Sequence, residues 1–200
     1  IIPRIASTCA QAGIAINDLD MVACGRGPGS FTSLRVGMAS AKGLCSALSI
    51  PLVSIGTLDI YHYPVAMAHD AVAVVLDARK QRFYCALFHH GVKVTDDLDI
   101  EALEFVRLMA GYAQVFVTGP DARMFAKRVA DDERTSASVK LAVDPLTYRD
   151  YGESLIALAL QAYAERGADD STSGPVYIRK SDAELALEAM QAHQDKEHTP

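Results

Sequence analysis

The segment 20–58 constrains the fold more than any other part of the chain. An apolar run at 20–24 leads into the turn Gly25-Arg26-Gly27-Pro28-Gly29-Ser30. A helix-favouring stretch follows over 31–48, and a second apolar run at 51–55. Glycines in such a turn permit φ > 0 and close backbone approach. Ser30 or Thr32 can cap the helix, and free N–H groups at a helix start favour an anion. Gly27, Pro28, Gly29, Ser30 and Thr32 therefore form a candidate phosphate-facing turn, or no more than a tight turn. No Gly-Lys-Ser/Thr closes it as in a Walker A loop, and no GxGxxG makes it a dinucleotide fingerprint.

The helix at 31–48 is unusual in its small residues. Gly37, Ala39, Ser40, Ala41, Gly43, Ser46 and Ala47 sit among Leu34, Val36, Met38, Leu44 and Leu48. Glycine inside a helix costs about 0.5–1 kcal/mol relative to alanine. Two of them point to close backbone approach by another helix, either within this fold or on a partner. Arg35 on the same helix is a solvated charge, a bridge near the glycine turn, or part of a partner surface.

The remaining pattern reads as follows. Residues 1–12 read as a helix, with Ile2, Ile5, Cys9 and Ala12 spaced to share one buried side and Gly13 at its end. Residues 58–69 read as a helix that contains Pro64. The near-continuous apolar run 71–77 is a strand buried on both faces, and 82–88 pairs with it through the turn 78–81. Residues 91–95 are an edge strand, 115–118 and 139–143 further strands, and 101–111 and 121–129 helices. Residues 151–166 form an amphipathic helix with Leu155, Ile156, Leu158, Ala159, Ala162 and Tyr163 inward. Residues 175–179 are extended, 181–194 helical by propensity, and the tail after them disordered. Alternating strands and helices make the fold α/β with parallel strand pairs, and the central hairpin adds antiparallel pairing.

Charge and cysteine usage narrow the function. The net charge is −6 over 200 residues, with no basic run. Phosphate affinity comes mainly from clustered Lys and Arg, so a role on a nucleic acid requires another molecule to hold it. Cys9, Cys24, Cys45 and Cys85 form no CxxC pair and read as small buried residues of a reducing cytoplasm. No apolar run is long enough to span a bilayer, and no membrane role is expected.

The block Gly25-Arg-Gly-Pro-Gly-Ser-Phe-Thr-Ser-Leu-Arg-Val-Gly, then Ala41-Lys-Gly-Leu and Ile50-Pro-Leu-Val, resembles the signature of the TsaB (YeaZ) family. Asp77-Ala-Arg and Pro175-Val-Tyr-Ile-Arg extend the likeness along most of the chain, and Ser33 departs from the family's usual Gly. The resemblance implies an actin-like, sugar-kinase-like (ribonuclease H-like) fold of two lobes: 1–69 as the remainder of the first, 70–180 as the second, and 181–200 as a C-terminal helix and tail. The family's first strands carry an Asp-x-Ser/Thr turn that nothing here matches, so the chain reads as beginning inside the first helix. In the catalytic relative TsaD (YgjD), the second strand leads into a His-x-x-x-His metal motif. Those positions fall here on Thr57 and Tyr61. His62 is one position out of register, its spacing to His69 is wrong, and His89 and His90, adjacent on a strand, point to opposite faces. All six histidines read as non-ligands, and no metal site is expected.

The resemblance implies a non-catalytic scaffold that binds and activates TsaD. The assembly, which includes the ATPase TsaE, forms N6-threonylcarbamoyladenosine at adenosine 37 of tRNAs reading ANN codons. The partner surface would comprise Ile2, Ile5, Arg35, Met38, Ala39, Lys42 and Cys45, and would pair a second copy when TsaD is absent. No cofactor is required, although ATP or ADP at a subunit junction would be compatible. tRNA would be reached only through the complex. The alternative is an actin-like ATPase or small-molecule kinase acting alone, with Asp77 near a metal–nucleotide rather than merely turning the strand end. A peptidase would need a metal or a nucleophile–base pair, and neither is visible.

Overall fold

The computed structural model describes residues 1–133, 139–146 and 149–179. The helix and tail expected over 181–200 lie outside the described residues. The chain forms two sheets with helices between and around them. Helix α1 (Ile2–Gln11) precedes β1 (Val22–Gly25), α2 (Phe31–Leu48), β2 (Leu52–Ile55) and α3 (Thr57–His62). Then come β3 (Ala71–Asp77), β4 (Arg82–His89), β5 (Val92–Lys93), β6 (Leu98–Glu101), α4 (Ala102–Leu108) and β7 (Gln114–Thr118). Helix α5 (Ala122–Ala130), β8 (Lys140–Val143) and α6 (Gly152–Arg166) complete the order.

The smaller sheet is β1 and β2, parallel, with Val22 opposite Leu52 and Gly25 opposite Ile55. Its two faces bury different helices. Val22, Cys24 and Leu52 meet Met38, Ala41 and Cys45 of α2. Ala23, Val53 and Ile55 meet Leu155, Leu158 and Ala159 of α6. The expected inward stripe of α6 is therefore narrower than its sequence suggests. Ile156 and Tyr163 are 55% and 44% exposed, because a sheet two strands wide covers only part of the helix.

The larger sheet runs β5-β4-β3-β7-β8, with β6 also paired to β4. Strands β3, β7 and β8 are parallel, whereas β3–β4 is an antiparallel hairpin. Successive side chains of a strand point to opposite faces. Ala73 and Val75 thus join Phe83, Phe105, Phe125 and Val117 on the α4–α5 side, while Val72 and Val74 join Leu58, Phe88 and Phe116 on the α3 side. Both faces are covered, which explains the uninterrupted apolar run of β3.

Three local expectations change. The α1 stripe is only partly inward: Cys9 is buried, but Ile2 is 40% exposed and Ala12 is exposed. Pro3 sits in the first turn of α1, where its missing N–H costs nothing. The helix expected over 58–69 stops at His62 and continues as a 3-10 turn, Tyr63–Val65, which accommodates Pro64. Histidines 89 and 90 do not point apart. His90 leaves the strand with φ of 49°, and the two rings lie 4.0 Å apart.

The chain uses the same local device twice. After β1, Gly27 takes φ of +115° ahead of Pro28 and α2. After β7, Gly119 takes φ of +106° ahead of Pro120 and α5. Each glycine lies under a backbone carbonyl, of Val176 and of Val75 respectively, that a Cβ would strike.

Candidate functional site

The glycine turn forms one wall of a cleft of about 550 Å³. Arg26 N–H donates to Ile55 O at 2.9 Å and Thr57 N–H to Gly27 O at 2.8 Å, so the turn is tied to β2 and to the start of α3. Pro28, Gly29 and Ser30 line the cleft, and Asp77, Ala78 and Tyr84 face them from the larger sheet. Gly27 is buried beneath Val176, and Thr32 is exposed away from the lining. Of the candidate phosphate-facing residues, the structure thus brings three to the cleft and leaves two outside it. Ser30 occupies the N-cap of α2 without a side-chain capping bond.

Asp77 turns the strand end. Its Oδ1 accepts the Arg79 N–H at 2.8 Å, and its own N–H donates to Asp121 Oδ2 at 2.7 Å. Arg79, Lys80 and Gln81 all have positive φ and carry the chain into β4.

The third wall is the segment 175–179, expected only to be extended. The Tyr177 ring lies 4.6 Å from that of Phe31. Arg35 places its guanidinium carbon 3.9 Å from the Phe31 centroid and donates from Nε to Tyr177 Oη at 3.1 Å. Arg35 thus bridges the first turn of α2 to this segment. Arg179 forks onto Asp99, with Nε to Oδ2 at 2.6 Å and Nη2 to Oδ1 at 2.8 Å, and Nη1 reaches Ala78 O at 2.8 Å. Burial alone would raise the Asp99 carboxyl. Hydrogen bonds from Arg179 and Arg82 outweigh it and hold the group below its ordinary range. Sequence reasoning gave Tyr177, Arg179 and Asp99 no role. The Pro175-Val-Tyr-Ile-Arg run was the available signal, but its partners lie far away in the chain.

The expected partner-surface residues divide. Ala39 is exposed on α2, Ile2 is exposed and Ile5 half-buried on α1. Lys42 is half-buried and donates to Ser171 O at 2.7 Å. Met38 and Cys45 are corrections: at 3% and 7% exposure they are core residues against β1 and β2 and present no surface.

The two positions aligned with the relative's histidines serve this chain's own contacts. Thr57 opens α3 and binds the turn through its backbone, and Tyr61 meets Tyr151 edge-on at 4.6 Å. Burial, with a smaller contribution from Asp121, raises the Tyr61 phenol. His62 stacks on Phe88 at 3.8 Å and His69 on Phe116 at 3.7 Å. Among the described residues no three His, Cys, Asp or Glu side chains gather as metal ligands. The thiols are poor nucleophile candidates. Burial, with Asp169 second, pushes Cys24 up to about 11, and burial raises Cys45 and Cys85. No helix among the described residues is long and apolar enough to cross a membrane.

Two sheets, each carrying a strand, a Gly-Pro turn and a helix in succession, and flanking one cleft, make this an α/β protein of the actin-like, ribonuclease H-like class. Solved structures agree. The chain superposes on YeaZ from Pseudomonas aeruginosa with a TM-score of 0.65 at 24% identity, over 88% of this chain and 82% of that one. A protein described as similar to peptidase YEAZ from the same organism gives 0.67 at 25% identity, over 89% and 82%. A family model described as TsaD, tRNA N6-adenosine threonylcarbamoyltransferase, matches residues 1–185. The tRNA threonylcarbamoyladenosine biosynthesis protein TsaB of Haemophilus influenzae is 38% identical over 86 residues, 42% of this chain and 36% of the relative. Its Escherichia coli counterpart is 32% identical over 88 residues, 43% and 38% of the two chains. The Bacillus subtilis TsaB aligns over 187 residues at 22% identity, 91% and 79%. In the Haemophilus and Escherichia matches the chain spans less than half the length of the curated relative. The chain belongs to the family that this model describes, and the relatives it resembles at 38% and 32% identity are TsaB proteins.

Proposed function

We propose that this chain is a non-catalytic scaffold subunit that binds and activates TsaD in the formation of N6-threonylcarbamoyladenosine at adenosine 37 of tRNA. The outer face of α2 carries the reading. A Cβ added at Gly37 or Gly43 would meet none of the described residues within 4 Å, Val36 is 51% exposed, and Ala39 is exposed. The two glycines thus weaken a helix interior, at about 0.5–1 kcal/mol each, and no contact among the described residues explains them. A helix laid across that face would explain them, because small residues let two helix backbones approach closely. Family membership supports the reading that the helix is TsaD's. The relatives' names place them in tRNA threonylcarbamoyladenosine biosynthesis. The use of Thr57 and Tyr61 in internal contacts supports a role without metal chemistry.

The same face would pair two copies when TsaD is absent, and TsaE would join the larger assembly. The complex, rather than this subunit, would hold tRNA, and the work would take place in the cytoplasm. The test is light scattering of the chain mixed with TsaD at micromolar concentration. A heterodimer is expected, lost in Ala39→Arg and Gly43→Leu with unchanged circular dichroism. No complex with the unsubstituted chain would sink the reading.

The cleft supports a second reading, because Asp77 and Asp121 face the glycine turn across it. Titration calorimetry with Mg-ATP separates the two. Micromolar binding by the chain alone would favour an ATPase or kinase, whereas binding only with TsaD present would place the nucleotide at a subunit junction.

A further inference from the structure

Residues 175–179 are fastened at both ends to different halves of the molecule. At the smaller sheet, Val176 N–H donates to Arg26 O at 2.7 Å. The Val176 carbonyl oxygen fills the hollow over Gly27, 2.5 Å from where a Cβ would stand, so no other residue type fits beneath it. Tyr177 adds the Phe31 ring contact and the Arg35 hydrogen bond. At the larger sheet, Arg179 forks onto Asp99 of β6 and caps the Ala78 carbonyl at the end of β3. Both members of the fork are largely shielded, with side chains 19% and 13% exposed.

We propose that this segment is a strap that sets the width of the cleft, with Gly27 and Phe31 as its anchor on one side and Asp99 as its anchor on the other. The chain between Val176 and Arg179 is three residues long, which reaches at most about 10 Å when extended. While both ends hold, the walls cannot part further than that span plus the reach of the Arg179 side chain, and the Tyr177 and Arg179 side chains close the side on which the strap lies. The large-sheet anchor is also built to release. Asp99 accepts from Arg82 Nε at 2.8 Å as well as from Arg179, so its carboxylate keeps a partner when Arg179 leaves. Breaking a shielded ion pair is costly chiefly when a lone charge remains. Here opening leaves no lone carboxylate, and the guanidinium swings out to water.

A strap transmits, and transmission between two sites is reciprocal. Hydrogen exchange of the full chain, read by mass spectrometry, tests it. Arg179→Ala removes the Asp99 fork and the Ala78 cap at the larger sheet, yet several-fold faster exchange is expected in the turn 26–30 and the start of α2. Tyr177→Ala removes the Phe31 and Arg35 contacts at the smaller sheet, and faster exchange is expected across β6. Exchange in β7, which lies across β3 from β4 and β6, should stay at its original rate in both. If each substitution loosens only its own side, the segment is surface packing and the proposal falls. Should Arg179→Ala loosen β7 as well, Arg179→Lys decides by the same measure. It keeps the charge but not the fork, and unchanged exchange at 26–30 in that variant overturns the strap.

Discussion

Gly119 follows β7 with φ of +106°, and a Cβ there would overlap the carbonyl oxygen of Val75. That atom is backbone in the central strand and cannot yield. Gly119→Ala is therefore expected to destabilise the chain by about 2 kcal/mol or more, read from the urea midpoint. Gly43 lies in the helical interior of α2 with open space around it. Gly43→Ala should stabilise the chain by about 0.5–1 kcal/mol in the same measurement, and a fall in affinity for TsaD would accompany it if that face docks a helix. Both glycines are visible in the sequence. Their opposite costs are not, because the deciding neighbour is a carbonyl from a distant strand in one case and empty space in the other. His62 is a third residue-scale case. It is 6% exposed, and its Nε2 has no hydrogen-bond partner among the described residues. Burial lowers its pKa from 6.5 to about 4, with Asp59 opposing and Lys93 assisting. Between those two values the unfolded chain binds the proton and the folded chain does not. Stability is thus whole above about pH 6.5 and falls by roughly 2–3 kcal/mol as the pH drops to about 4. Melting temperatures across that window should fall less steeply in His62→Phe, which keeps the ring against Phe88.

At the scale of elements, legibility follows burial on known periods. The run 71–77 was readable because both faces of β3 are covered, and its partner 82–88 because a short turn joins the two. Strand β6 was not readable as a strand. Leu98 and Ile100 alternate with Asp97 and Asp99, but four residues at a sheet edge, all half-buried or exposed, give little signal, and Asp99 reads as polar surface. In the structure Asp99 is the carboxylate that gathers Arg82 and Arg179. The α6 stripe was legible in direction but not in width, since sheet width is a tertiary quantity. Helix α5 shows how much one element can rest on one side chain. Phe125 is fully buried, with Phe83 edge-on at 5.2 Å and Phe105 at 6.0 Å. Truncating a buried phenylalanine costs about 3–5 kcal/mol when its surroundings cannot collapse. Strands stand on one side of this site and α4 on another, so Phe125→Ala is expected toward the upper end. Its denaturant midpoint should fall far more than that of Met124→Ala, the 38%-exposed neighbour on the same helix.

The described residues form two sheets that share a cleft, and at least six of the chain's 19 Lys and Arg side chains are held in contacts within them. Arg82 and Arg179 lie on Asp99, Arg149 on Asp144, Arg166 on Asp169, and Lys93 between Asp59 and Asp97. Arg35 stacks on Phe31. The net charge is −6. Affinity for a phosphate backbone comes from Lys and Arg displacing counterions, and it disappears when those groups already hold carboxylates. An acidic surface of this kind repels a polyanion at distances up to the Debye length, about 8 Å at physiological salt. The chain by itself is accordingly expected to bind unmodified tRNA more weakly than about 100 μM at that salt, the weak end of non-specific binding. Filter binding with the chain alone, and again with TsaD added, measures this. Retention of tRNA only in the presence of TsaD would match a subunit that acts on its partner rather than on the nucleic acid. Low-micromolar retention by the chain alone would mean that a basic surface forms despite these pairings, and the indirect role in tRNA modification would have to be abandoned.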